Sequence, residues 1–124
     1  MRGQVVNVEI SVSDTERARA FWSGLFGWEW QDFSGPTEYH MTRADDTTGV
    51  ALSNATPETR GTRVYYDVED IQAGITQVKE LGGRADEAMP VPNMGWFVTC
   101  RDPDGNDFGL WQSDENAPMP AEMG

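Results

Sequence analysis

The side chains able to do chemistry are few, and their spacing limits what they can do. The chain has one histidine, His40, and one cysteine, Cys100. A nucleophilic Cys100 needs a base, and His40 is the only imidazole available to serve it. His40 alone is a candidate general base near neutrality, against the reading of an ordinary polar strand residue. Cys100 reads as a buried, inert thiol, and a single cysteine excludes both an internal disulfide and an all-cysteine zinc site. A second set lies in VVNVEISV, residues 5–12, where Asn7, Glu9 and Ser11 alternate with Val6, Val8, Ile10 and Val12. A third lies in RVYYDV, where Arg63, Tyr65 and Asp67 share one parity. If both polar sets face the concave side of a sheet, Glu9 and Arg63 are placed to pair. Such a pair either recognises a polar ligand or fixes strand register as scaffold. Trp111 shares parity with Gly109 and Asp107, and with Tyr65 and Trp96 it could line a pocket for a flat or aromatic ligand. Core packing is the alternative for Trp111. No residue is assigned a catalytic role.

These residues need elements to hold them. The first strand runs into Ser13 and Asp14, either of which can cap a helix whose first turn holds Glu16. Ala18, Phe21, Trp22 and Leu25 follow at helical spacing as a buried stripe, and Gly27 stops it. Strands are expected at Trp28–Phe33, Glu38–Arg43 and Gly49–Ser53, with turn chemistry between them. Trp28 and Trp30 then share a strand face, at a sheet edge or a subunit contact. Residues 54–61 read as a polar linker. The pattern begins again with a strand at Arg63–Val68 and a helix opened by Glu69 and Asp70, with Ile71, Ile75, Val78 and Leu81 inward and Gly82-Gly83 as its stop. Strands follow at Arg84–Ala88, Gly95–Arg101 and Asp107–Gln112, the last two joined by the hairpin signal DPDGN. Pro90–Gly95 is a connection that could cover a pocket mouth.

The chain repeats at an offset of 56 residues, which maps Val12 on Val68, Asp14 on Asp70, Leu25 on Leu81 and Gly27 on Gly83. Each half reads β-α-β-β-β. The expected fold is α+β: two tandem βαβββ modules forming a curved, mixed, eight-stranded sheet with the helices outside. Module one covers about 4–54 and module two about 62–112. The 124 residues make one domain, with a mobile tail over 113–124 that has little to bury.

A net charge of −12, from 21 acidic and nine basic residues, argues against nucleic acid or an anionic membrane as partner. No apolar run reaches the roughly 18 residues of a membrane span. The N-terminal sequence leads directly into a strand without the basic and apolar regions of a signal peptide, so a cytoplasmic location is expected.

Three stretches, VEISVSDTERARAFWSGLFGWEW, VEDIQAGITQVKELGG and DPDGNDFGLWQ, together with the doubled βαβββ pattern, resemble the vicinal oxygen chelate superfamily of glyoxalases, bleomycin-resistance proteins and extradiol dioxygenases. In metal-dependent members, each module's first and last strands supply His or Gln and then Glu as ligands. At the matching positions this chain has Asn7, Arg63 and Gly109, and the strand Gly49–Ser53 offers no carboxylate or imidazole. A fixed cation at a ligand position repels a metal, and asparagine is a weak neutral donor. The resemblance therefore implies a metal-free, cofactor-free, small-molecule-binding protein like the bleomycin-resistance group, assembled as a homodimer. The alternative is a metal-dependent glyoxalase-like lyase, isomerase or dioxygenase with a rearranged site, using His40 with Glu9 or Glu38.

Overall fold

The computed structural model describes residues 2–33, 39–55 and 61–119. The chain divides into two compact units, Val6–Arg63 and a second that runs from Val64 with the N-terminal residues up to Val5. The boundary between Arg63 and Val64 falls inside the strand expected to open module two, so Arg63 belongs with the first unit. The fold is α+β, as the repeat requires.

In module one, β1 (Val5–Val12) leads into α1 (Thr15–Phe26), then β2 (Gln31–Phe33), β3 (Tyr39–Arg43) and β4 (Gly49–Asn54). β4 lies parallel to β1 and antiparallel to β3, which pairs antiparallel with β2, so the sheet is mixed. The connection from β1 to β4 through α1 is what allows two parallel neighbours. Asp14 caps α1, its carboxylate accepting from the Arg17 amide at 3.1 Å. Gly27, at φ 71°, ends it in the left-handed conformation that glycine takes without penalty.

Module two repeats the plan with one strand more, the expected strand Arg84–Ala88 ending at Ala85: β5 (Gly61–Asp67), α2 (Ile71–Glu80), β6 (Arg84–Ala85), β7 (Met89–Val91), β8 (Gly95–Arg101) and β9 (Asp107–Ser113). β5 runs parallel to β9, and β8 is antiparallel to β9, β6 and β7. Asp70 caps α2 through the amides of Gln72 and Ala73. The Gln112 side chain on β9 accepts a further helix N–H, from Ile71, at 2.8 Å. α2 packs Ile71 and Ile75 on Val68, Val98, Cys100 and Leu110, a closed apolar core. The left-handed stop of α2 is Gly82, at φ 93°, and not the repeat-matched Gly83. Gly83 serves close approach instead, since a Cβ there would meet the Arg101 carbonyl oxygen at 2.6 Å.

Four expectations need correction. Trp28 and Trp30 precede β2 and are not in a strand. Their rings gain more by packing on the helix: Trp28 stacks on Trp22 at 5.8 Å, and the Trp30 indole donates to Ser23 Oγ at 2.9 Å. The helix stripes are not wholly buried either, with Phe21 61%, Leu25 58% and Leu81 72% exposed and Trp22 half-buried. Pro90 and Val91 belong to β7, hydrogen-bonded to β8, so the segment 90–95 is a hairpin rather than a free lid. The tail does not become loose at Ser113, which ends β9. Asp114 N–H donates to the Met94 carbonyl, Asn93 N–H donates to that of Ala117, and Ala117 is buried. Of the expected strand Glu38–Arg43, Glu38 lies outside the described residues, as do residues 56–60 of the linker.

Candidate functional site

Register decides which side chains can meet. β1 opposite β4 pairs Asn7 with Gly49, Glu9 with Ala51 and Ser11 with Ser53. β4 opposite β3 continues that face through Arg43, Met41 and Tyr39. Directly opposed residues project to the same side of a sheet, so Asn7, Glu9 and Tyr39 share a face. The other face holds His40 and Asp32, and there Arg19 of α1 reaches Asp32 at 3.5 Å. The polar face is therefore the one turned away from α1.

On it, Arg63 from β5 lies with its guanidinium 3.8 Å from the Glu9 carboxylate, and the two side chains are only 16% and 17% exposed. The Tyr39 hydroxyl donates to the second Glu9 oxygen at 3.3 Å. Burial pushes the Glu9 carboxyl above its ordinary value, while the Arg63 charge and the Tyr39 hydrogen bond pull the other way. The net direction favours the protonated form of Glu9 relative to a free glutamate. Beside it, the amide oxygen of Asn7 is buried without a hydrogen-bond partner. It lies 3.2 Å from where a Cβ of residue 49 would sit, so Gly49 is what makes room for it.

Module two presents a different face. Tyr65, Gly109 and Thr99 are opposed across three strands, as are Asp67, Trp111 and Phe97. The Tyr65 and Phe97 rings meet edge to face at 6.4 Å. The Trp111 indole donates to Ser113 Oγ at 3.1 Å. Asp67 is held by Arg2, at 2.7 Å, an ion pair that the sequence pattern did not single out. Nothing in the spacing signals it, because Arg2 precedes the first periodic element.

Of the sequence candidates, Asn7, Glu9 and Arg63 come together, and Tyr39 joins them unanticipated. Its parity with Met41 was legible, but its reach to Glu9 depends on the register of three strands. Tyr65 and Trp111 share a face in module two. His40 and Trp96 do not belong to these faces. His40 opposes buried Leu52 on the α1 side, its Nδ1 2.6 Å from Asp32. A ligand set of His40 with Glu9 is ruled out by the strand, since residues of opposite parity project to opposite sides. Trp96 packs against the α2 core and donates its indole N–H to Asp114 at 3.1 Å. Cys100 sits in that same core, its thiol pushed up to about 11 by burial and by Asp86, which keeps it from being a nucleophile.

The metal that the superfamily resemblance implies does not fit these residues. The first-strand position of module one offers one neutral amide oxygen, Asn7. That of module two is a guanidinium already beside Glu9. At position 109 there is no space for a carboxylate, because a Cβ would lie 2.3 Å from Tyr65 ring atoms. Among the described residues no group of three His, Cys, Asp or Glu side chains could hold a metal ion.

Comparison with known proteins agrees with the fold. A sequence model described as a glyoxalase-like domain matches residues 7–111. A glyoxylase-like domain-containing protein of Didymella fabae is 28% identical over 123 residues, covering 89% of this chain and 94% of that one. The putative glyoxylase CFP32 of Mycobacterium bovis is 25% identical over 88% of this chain, which spans only 45% of the length of CFP32. Among solved structures, a methylmalonyl-CoA epimerase of Streptomyces coelicolor bound to 2-nitronate-propionyl-CoA superposes with a TM-score of 0.75 at 17% identity, over 91% of this chain and 99% of the other. A glyoxalase/bleomycin resistance protein/dioxygenase superfamily member from Vibrio splendidus gives 0.67 at 22%, over 90% and 99%. These structural likenesses show the fold.

Proposed function

The chain belongs to the glyoxalase-like domain family of the vicinal oxygen chelate superfamily, and from that premise we propose that it is a metal-free small-molecule-binding protein. The binding centre is the Glu9–Arg63–Tyr39 face of the unit Val6–Arg63. The observation that carries this reading is the half-enclosed ion pair itself: a carboxylate and a guanidinium 3.8 Å apart, each mostly withdrawn from water. Taking two charges out of water is costly, and a pair of this kind is retained where it orients something. Arg63 supplies a planar set of donors for a carboxylate, phosphate or carbonyl of a ligand. Small neighbours at Gly49, Ala51 and Ser53 keep the face low around the pair.

Binding of CoA esters by structural relatives such as the epimerase makes acyl thioesters a natural first class to test, with flat aromatic compounds as the second. We place the protein in the cytoplasm as a homodimer. Among the described residues no helix is long and apolar enough to cross a membrane.

A purely structural role for the pair is the second reading, favoured by Ala51, which is fully buried on the same face. Thermal-shift and calorimetric titration with acyl thioesters and aromatic acids, in chelator, separates the two. The proposal expects a ligand whose binding survives chelator and is weakened at least about tenfold by Arg63→Met, the loss of one charge-assisted contact. If no compound binds and Arg63→Met changes only stability, the structural reading stands.

A further inference from the structure

We infer that Asn7 selects the ligand, its amide oxygen being an acceptor held for a hydrogen-bond donor that the ligand brings. The class this assigns is a small carboxylic acid with an amide N–H or a hydroxyl on the carbon next to its carboxylate. The inference rests on the reading of the Glu9–Arg63–Tyr39 face as the binding centre and names what that centre takes.

Elsewhere the fold gives its side-chain amides partners. Gln112 accepts from the Ile71 N–H at 2.8 Å, and Asn106 donates to Asp102 at 3.0 Å. Two residues along from Asn7, Glu9 has both oxygens engaged, one facing Arg63 and the other accepting from Tyr39. The Asn7 oxygen is the exception: it is buried, and among the described residues nothing donates to it. A buried acceptor without a donor has given up its bond to water for nothing, and native chains keep few of them.

The neighbouring side chains show why the chain does not supply the donor itself. Across the strand pair Asn7 faces Gly49, which has no side chain to offer. A Cβ there would stand 3.2 Å from the amide oxygen and 3.7 Å from Met41 Cε. A serine at 49 would bring a hydroxyl to the oxygen, whereas a methionine thioether donates nothing. Met41 is unbranched and has three rotatable bonds, so it is a cover that a ligand atom can displace. Asn7, Met41, Gly49, Glu9, Tyr39 and Arg63 all lie in the unit Val6–Arg63.

Spacing sets the class. Asn7 and Glu9 are two residues apart on one strand face, roughly 7 Å at about 3.3 Å per residue. The Arg63 guanidinium lies 3.8 Å from the Glu9 carboxylate. One small molecule engages both Arg63 and Asn7 only if its anion and its donor are a few bonds apart. A carboxylate with an N–H on the adjacent carbon, with hydrogen bonds of about 2.9 Å at each end, reaches across roughly 9 Å. Its carboxylate matches the planar donors of Arg63, and its N–H supplies what the Asn7 oxygen lacks.

Calorimetric titration of the full chain with N-benzoylglycine and with 3-benzoylpropionate, in which a methylene replaces the N–H, tests this. The wild type should bind N-benzoylglycine at least about tenfold more tightly. Asn7→Leu should abolish the preference while keeping the urea midpoint at or above that of the wild type, since the free protein loses no hydrogen bond. Asn7→Ala makes the same comparison should the leucine variant misfold. Equal affinities in the wild type, or a preference that survives both Asn7 variants, overturns the role of Asn7. If that binding is nonetheless lost on Arg63→Met, the binding centre stands without it. Binding of neither compound overturns the assigned class, and an acyl thioester whose binding needs Arg63 then leaves the broader reading in place.

Discussion

The two modules descend from one pattern and have been put to different uses. Module two closes its helix on a continuous apolar core, with Ile71, Ile75, Val98 and Leu110 buried together. Module one buries Val50, Ala51 and Leu52 on β4, while Thr15 is the one buried residue on α1. On the faces turned from the helices the contrast reverses in kind. The unit Val6–Arg63, which holds module one, has the ion pair of Glu9 and Arg63, with Tyr39 as hydrogen-bond donor. Module two has Tyr65, Phe97 and Trp111 around a glycine that the Tyr65 ring presses on. Duplication lets one copy carry packing while the other places charges where they cost stability.

If module two carries the packing, its core is where truncation hurts most. Leu110→Ala should lower the unfolding free energy by about 3 kcal/mol, while Leu25→Ala on exposed α1 should change it by less than about 0.5 kcal/mol. Equal losses in urea unfolding would erase the contrast between the helices. Next in size is Gly109→Ala, which sets a methyl group into the Tyr65 ring and should cost about 2 kcal/mol by overpacking. The same change at Gly24, where the space is open, should be neutral or slightly stabilising.

The ion pair of module one gives a smaller effect with a distinctive pH dependence. Arg63→Met should cost about 1–2 kcal/mol at neutral pH, discounted for the remaining exposure of both partners, because it strands the Glu9 carboxylate. For Glu9 itself the sign follows from burial, which raises its folded-state pKa above 4.5. The folded chain then holds a proton that the unfolded chain releases. Its contribution to stability is full below pH 4.5 and is lost as pH rises through the folded value. Glu9→Gln should therefore gain stability relative to the wild type as pH rises above 4.5. Parallel stability curves for the two proteins would show that Glu9 does not titrate differently on folding. The smallest effect is a null one. Cys100, with its thiol pushed up to about 11, should resist alkylation at pH 8 in the native protein and react fully in denaturant.

Periodicity made the doubled βαβββ plan legible, because strand and helix periods alternate twice with capping aspartates at Asp14 and Asp70. Parity alone placed Asn7, Glu9 and Ser11 together, and likewise Tyr65 and Asp67. The failures have one cause: competition between tertiary contacts and local pattern. Trp28 and Trp30 alternate like strand residues but stack on α1. Phe21 and Leu25 have core spacing on a helix that shows them to water. Chemical type singles out His40 and Trp96, but register turns both to the helix side. Nothing local distinguishes Tyr39 from any strand tyrosine, and only the pairing of β1, β4 and β3 brings it to Glu9.

The central claim is that ligand recognition here proceeds without the superfamily's metal. Elemental analysis of protein purified without chelator, then dialysed against manganese, nickel and zinc in turn, tests it most directly. The account predicts well under one equivalent of any divalent metal per chain, with the pH-stability profile of the wild type unchanged by metal. One tightly held equivalent, lost on Glu9→Gln, would contradict it.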